Sequence, residues 1–299
     1  MPVDLKKITR GREKRPPKVL IYGQHGVGKT TFAAGIPGAL FLDSDRGSHR
    51  LDVAARVVPE SWKEFCEWLT AIERGEVKCD ALVLDSLTQL EQFSHAEFFG
   101  QESLATWQGG YGKGDNYAIM RWREIVAQLE RIWRAGKPVV IVGHCTIKTF
   151  NDPIGPSYDQ YLISAQQSLA GLVAQWADYV LFAKPSKIEL QKVDGENKAM
   201  GYGETRLYTR PSPGYWAKAR GTTIFPENIG LSWMAFQAAI EADEQREAAL
   251  RTEIGTMLKA LSDDALVKKT NDFLASNPGA LVETRNRLAE IQKEREGKK

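Results

Sequence analysis

The chain has 299 residues, of which 42% are hydrophobic and 26% charged, with a formal net charge of +2. That length supports one large core with an appendage rather than two equal domains, and so small a net charge gives no argument by itself for a nucleic-acid partner. The three cysteines, Cys66, Cys79 and Cys145, lack metal-ligand spacing and predict buried thiols in a reducing compartment; with no signal-peptide pattern and no long apolar run, a cytoplasmic protein without a membrane segment is expected.

In chain order, the first feature is a basic run. Lys6, Lys7, Arg10, Arg12, Lys14, Arg15 and Lys18 face a single acid, Glu13, which reads as a solvated tail or a contact to a phosphate backbone. Residues 18–31 follow, an apolar β-prone stretch running into a glycine-rich turn. Gly23, Gly28, Lys29 and Thr30 satisfy G-x-x-x-x-G-K-[ST]. In such a loop the backbone N–H groups of Gln24, His25, Gly26, Val27 and Thr31 and their neighbours curl around ATP phosphates, Lys29 reaches the β and γ oxygens, and Thr30 holds Mg²⁺. A second buried strand is predicted over Ala39 to Asp43, ending in Asp43, Ser44 and Asp45, and the carboxyl edge of an open α/β sheet is where ligands sit. Trp62, Phe65, Cys66, Leu69 and Ile72 recur at helical spacing until Gly75. Ala81 to Asp85 is an apolar run ending in an acid, the Walker B pattern, which makes Asp85 the second Mg²⁺ residue.

From Phe99 to Asn116 the periodicity fails, and glycines are interleaved with Trp107, Tyr111 and Lys113. A long loop of this composition suits stacking on single-stranded bases. A helix is predicted from Met120 to Gly136, then a buried strand from Pro138 to His144, then a second irregular segment from Thr146 to Tyr161 that contains Lys148 and Phe150. Ser168 to Trp176 reads as a helix and Asp178 to Ala183 as a strand. Lys187 to Val193 and Thr205 to Thr209 alternate around the turn Asp194 to Asn197, giving an antiparallel appendage, and Tyr215 to Lys218 offers a third strand. There Lys218 and Arg220 stand at i and i+2, on one face. From Ser232 onward the pattern is helical, with Leu250, Ile254, Met257, Leu258 and Leu261 in one stripe.

This order of motifs resembles the RecA-like ATPase core over residues 17–230, and more narrowly the phage-encoded RecA-like single-strand annealing proteins. The resemblance implies an α/β fold: a mostly parallel sheet flanked by helices, an antiparallel hairpin extension and a C-terminal helical tail. The divisions are 1–17, 18–231 and 232–299. It implies further that Asp45 takes the place of the catalytic acid, usually Glu in that family; should hydrolysis survive loss of Asp45, another acid such as Glu91 is the base. It places His144 where a polar residue senses the γ-phosphate, and makes the two irregular segments DNA-binding loops. Lys218 and Arg220 resemble a K-x-R pair that reaches a neighbouring subunit's nucleotide, which calls for a homo-oligomer, ring or filament. A GTPase is disfavoured because Asn197-Lys198-Ala199-Met200 ends in Met where guanine recognition needs an acid, and no transporter L-S-G-G-Q is present. The expected activity is ATP- and Mg²⁺-dependent binding of single-stranded DNA in phage recombination, by annealing or strand pairing, beside a single-strand-binding protein. A nucleotide-switched helicase loader or assembly factor, and a ring helicase, are the alternatives.

Overall fold

Lys18–Gly23 form β1, a strand buried along its whole length. The two-residue alternation sends Leu20 and Tyr22 into one core layer and Val19 and Ile21 into the other. A strand covered on both faces has no solvent side, which is why its sequence is a continuous apolar run. The computed structural model describes residues 13–193, 196–221, 225–277 and 279–296; Lys6, Lys7, Arg10 and Arg12 of the basic run, and Asp194 and Gly195 of the expected turn, lie outside the described residues.

After β1 come α1 (Lys29–Ala34), β2 (Ala39–Asp43), β3 (Ala55–Val57), α2 (Trp62–Glu73), β4 (Ala81–Asp85) and α3 (Leu87–Phe99). Then follow α4 (Lys113–Arg134), β5 (Val139–Phe150), β6 (Tyr158–Ile163), α5 (Gln167–Trp176) and β7 (Tyr179–Pro185). The chain continues through β8 (Ile188–Val193), β9 (Glu196–Tyr202), β10 (Thr205–Tyr208), β11 (Lys218–Ala219) and β12 (Asn228–Gly230), and closes with α6 (Trp233–Leu261), α7 (Asp264–Ser276) and α8 (Leu281–Glu296). The main sheet has the order β12-β10-β7-β1-β5-β4-β2-β3. Its run from β7 to β3 is parallel, while β10 and β12 add antiparallel strands at one edge. This is the mostly parallel α/β sheet that the motif order implies.

Helices cover both faces. On one side α2 presents Trp62, Phe65, Leu69 and Ile72, and α3, α4 and α5 complete the layer with Leu90, Trp122, Ile125, Leu129 and Leu169. Ser61 starts α2 by accepting from Glu64 N at 3.2 Å, satisfying a donor that the first turn leaves unpaired. On the other side Phe32 of α1 meets Trp233 and Phe236 at the start of α6. Helix α6 runs on for 29 residues, and its far half joins α8 in a separate small core of Leu250, Ile254, Leu258, Leu261, Leu281 and Leu288. Among the described residues no helix is long and apolar enough to cross a membrane.

Several expectations change. The glycine-rich segment is shorter than Phe99 to Asn116, because α3 reaches Phe99, a 3-10 turn occupies Trp107–Gly109 and α4 begins at Lys113. The second segment is not irregular: β5 continues to Phe150 and pairs antiparallel with β6, leaving only 151–157 without regular structure. Alternation in this hairpin was masked by the proline and glycine near its tip. Strand β8 pairs with β9, whereas β10, expected in the appendage, joins the main sheet beside β7. The three cysteines are free and half-buried rather than fully buried.

Candidate functional site: a phosphate-binding pocket at the carboxyl edge of the sheet

The loop from Gly23 to Gly28 is shaped by two close approaches. A Cβ on Gly23 would lie 2.3 Å from Ala183 O of the adjacent β7, and one on Gly28, at φ +101, would lie 2.6 Å from Leu231 Cδ2. Both positions therefore need glycine. Lys29, only 5% exposed, donates from Nζ to Gly23 O at 3.0 Å and Gln24 O at 2.7 Å, so its ammonium is held inside the loop at the place a phosphate would meet it. Burial lowers its pKa below the usual lysine value.

Thr30 and Asp85 meet directly. Thr30 Oγ1 donates to Asp85 Oδ2 at 2.8 Å, and β2 pairs with β4 so that Asp43 lies opposite Asp85. Burial, with Asp43 and Asp45 close by, pushes the Asp85 carboxyl up to about 6. A carboxylate whose charge is disfavoured by burial and by neighbouring acids, beside a hydroxyl, is a donor set suited to a hard divalent cation. The described residues contain no cluster of three or more His, Cys, Asp or Glu side chains that could hold a metal ion alone. Mg²⁺ ordinarily binds through one or two protein groups together with substrate phosphates. Thr30 and Asp85 are the residues that would hold it.

Asp45 faces the same pocket. Its backbone N–H donates to Asp85 O at 3.1 Å, and its Oδ2 accepts from Ser86 Oγ at 3.2 Å and lies 2.8 Å from His144 Nε2. The hydrogen bond from His144 holds the Asp45 carboxyl below the usual carboxylate range. His144 comes from β5, opposite Gly23 of β1. His25 stacks on it with ring centroids 3.9 Å apart and planes at 23°, and the neighbouring imidazole lowers the His25 pKa. Lys29, Thr30, Asp45, Asp85, His144 and the loop are thus brought together at one edge of the sheet. Glu91, the alternative acid, is turned away and accepts from Gln166 N at 2.7 Å.

What sequence reasoning missed was Ser86 and the hydrogen-bond partners of Asp43 and Ser44, which it had placed at the carboxyl edge. Ser86 holds Asp45, and buried Ser44 donates to Asp85 O at 3.2 Å while accepting from Ser86 N at 3.1 Å. Asp43 is spent on the local turn, where it accepts from Gly47 N and Ser48 N, each at 3.0 Å. The clue was the Asp-Ser-Asp at the end of β2 beside an Asp-Ser at the end of β4, two acid-hydroxyl pairs on adjacent parallel strands.

The other predicted residues lie elsewhere. Strand β11 pairs with Val180 and Tyr179, the first residues of β7, so Lys218 and Arg220 stand at the opposite edge of the sheet, about 15 Å away along β1. Both turn to the end of α5: Lys218 Nζ donates to Ala174 O at 2.7 Å, and Arg220 donates to Gln175 O at 2.7 Å and pairs with Asp178 at 3.3 Å. In the glycine-rich segment Trp107 packs against Phe99 and Tyr117, with centroids at 5.3 and 5.1 Å. The exposed aromatic there is Tyr111, 98% accessible. Lys113 Nζ donates to Gln108 O at 2.9 Å. In the hairpin, Lys148 and Phe150 share a face, and Phe150 contacts Tyr158 at 5.3 Å.

A parallel sheet whose central strand opens into a lysine-bearing glycine loop, with an acid at the end of the strand two places away, defines a P-loop NTPase-type nucleotide-binding fold. Over residues 15–221 the chain matches the AAA domain family, and it belongs to that family. No curated protein matches it. AAA-type P-loop domains generally bind ATP with Mg²⁺, and the residues described above fit both.

Proposed function

We propose that the protein is an ATP- and Mg²⁺-dependent ATPase that binds single-stranded DNA in phage recombination, promoting annealing or strand pairing as a homo-oligomer beside a single-strand-binding protein. The observation that carries this reading is the continuity of β5. One strand holds His144 in the phosphate pocket and, a few residues on, Lys148 and Phe150 on an exposed hairpin that projects past the carboxyl edge of the sheet. A change at His144 when nucleotide arrives has a direct mechanical path to that hairpin. Cationic and aromatic groups on one face suit a strand of DNA, the lysine for phosphate and the ring for a base.

Hydrolysis would follow from positioning. Gly23 to Thr31 and Lys29 would orient the phosphates, Thr30 and Asp85 would hold the cation that offsets their charge, and the Asp45–His144 pair would position the attacking water. Lys218 and Arg220 lie at the edge opposite their own pocket, so in a head-to-tail assembly they would address the nucleotide of the next subunit after leaving the end of α5. The test is the ATPase rate with and without single-stranded DNA on a sample of known oligomeric state. Stimulation by DNA is the expected result, and a rate indifferent to DNA refutes the reading.

A nucleotide-switched loader or assembly factor is the second reading. It is favoured by a cavity of about 330 Å³ between α7 and α8, lined by Leu266, Phe273, Leu288 and Ile291. DNA-independent, weak turnover with nucleotide-dependent protein binding would select it.

A further inference from the structure

Resting on the reading that this pocket hydrolyses ATP, we propose that His144 takes the proton from the attacking water, with Asp45 as its positioning partner and His25 as its cover. The Asp45 oxygen nearest the imidazole is already committed, accepting from His144 Nε2 at 2.8 Å and from Ser86 Oγ at 3.2 Å. A carboxylate held by two donors is a poor proton acceptor, because each bond favours its charged form. With the Nε2 proton directed at Asp45, the neutral imidazole keeps its lone pair on Nδ1. That atom is buried and has no hydrogen-bond partner among the described residues. A carboxylate on one ring nitrogen and a free lone pair on the other is how an imidazole is oriented as a general base and its protonated form stabilised.

His25 lies flat against this ring, 3.9 Å away, and it is carried by the very loop that nucleotide must rearrange. Lys29 now occupies Gly23 O and Gln24 O, the carbonyls just before His25. When the ammonium leaves them for a phosphate, the loop that carries His25 shifts and uncovers the His144 ring. Proton acceptance is thereby tied to occupancy. The charged groups that act on the pair are Lys29 from the P-loop, Asp45 from the end of β2 and Asp85 from the end of β4, while Asp43 acts on Asp85 and Cys145 on Lys29. In the step itself, the water oxygen bonds to the γ-phosphorus as the bond to the β,γ-bridging oxygen breaks, and that oxygen leaves on ADP with the electron pair. The water proton passes to His144 Nδ1, Asp45 stabilises the imidazolium, and the proton returns to bulk water when the pocket reopens.

The experiment uses the full chain. Affinity for a non-hydrolysable ATP analogue is measured first, then kcat and KM from about pH 4.5 to about pH 9, a range wide enough to hold an imidazole's acid limb and its displacement to lower pH. In His144→Gln, analogue affinity should stay within about threefold while kcat falls by about 10² to 10⁴ and the acid limb of the profile disappears. Asp45→Asn provides an independent check, because it removes the charge that supports imidazolium. Its residual turnover should show the acid limb displaced to lower pH, whereas if Asp45 were the base the limb would vanish with the carboxylate. For the cover, carbethoxylation of His144 in the nucleotide-free chain, mapped by mass spectrometry, should be several-fold faster in His25→Ala than in wild type. An intact acid limb or near-normal kcat in His144→Gln overturns the proposal, and so does a lost limb in Asp45→Asn; equal labelling of His144 overturns the role of His25. A wild-type chain that binds the analogue but turns over no ATP refutes the proposal while leaving nucleotide binding in place. Failure to bind the analogue at all refutes the underlying reading as well.

Discussion

Asp85→Asn should make the nucleotide-free protein more stable while impairing it as an enzyme. Asp85 is 2% exposed, and burial beside Asp43 and Asp45 raises its carboxyl from 3.8 to about 6. A rise of about two units corresponds to about 3 kcal/mol of preference for the protonated form. Because the folded pKa lies above the unfolded one, the cost of holding the charge is fully present above about 6 and fades as the pH falls towards 3.8. Asparagine keeps an oxygen to accept from Thr30 Oγ1 and removes the charge. The variant should therefore gain about 1 to 3 kcal/mol at about pH 8 and converge with wild type near pH 4, since the stabilisation is only the relief of that cost. Urea unfolding in chelator, without nucleotide, measures this at both pH values. A variant less stable than wild type at the higher pH, or a difference that does not depend on pH, would refute the account of Asp85 as a strained, cation-seeking carboxylate.

Lys29→Ala should leave the fold intact and reduce affinity for a fluorescent ATP analogue by about 10- to 10²-fold, since a hydrogen bond to a charged group contributes about 1.5 to 3 kcal/mol and the side chain would make at least one to phosphate; unchanged affinity would show that nucleotide sits elsewhere. Phe236→Ala should lose about 3 to 5 kcal/mol by thermal unfolding, because a fully buried ring packed against Phe32, Tyr179, Phe225 and Trp233 leaves a cavity its neighbours cannot all fill; a loss below about 1 kcal/mol would mean α6 is only loosely docked. Arg220→Ala should bind ATP normally yet lose hydrolysis, and mixing it with Asp45→Asn subunits should restore some activity; no rescue in mixtures whose assembly is verified by light scattering would confine Arg220 to its bond with Asp178. Replacing Tyr111, Lys148 and Phe150 together should weaken single-strand binding and flatten its dependence on salt, measured by fluorescence anisotropy, whereas a binding isotherm and salt slope equal to wild type would move the DNA site off both segments.

The P-loop and the two acid-ended strands were legible because each rests on local chemistry: a fixed glycine spacing, an apolar run of strand length, an acid at its end. The helices were legible where one face is apolar, as in α2 with Trp62, Phe65, Leu69 and Ile72. What could not be read was pairing. Nothing local tells Thr205 to Tyr208 to join β7 rather than the neighbouring hairpin, because a half-buried alternating strand fits either edge. The same holds for β5, whose extension past His144 is stabilised by β6 and not by its own sequence. In the pocket, the residue types were visible but their partners were not. His25 was a loop position until the fold laid its ring on His144, and Trp107 had the composition of a stacking platform until Phe99 and Tyr117 enclosed it.

The course of α6 bears on how this chain can be divided. The segment that defines the family ends at residue 221, before Leu231, Trp233 and Phe236 have been reached. Those side chains roof the phosphate loop and the short helix behind it: Leu231 lies over Gly28, and Trp233 over Phe32 and Gly35. A fragment trimmed to residues 15–221 would expose that apolar surface to water and leave the nucleotide loop without its back wall. The same helix carries four of the six buried residues of the distal cluster, so unfolding at either end is felt at the other. Deletion mapping of the tail will consequently report on nucleotide binding unless the cut falls beyond Ile240, the last α6 residue packed against the sheet-side core.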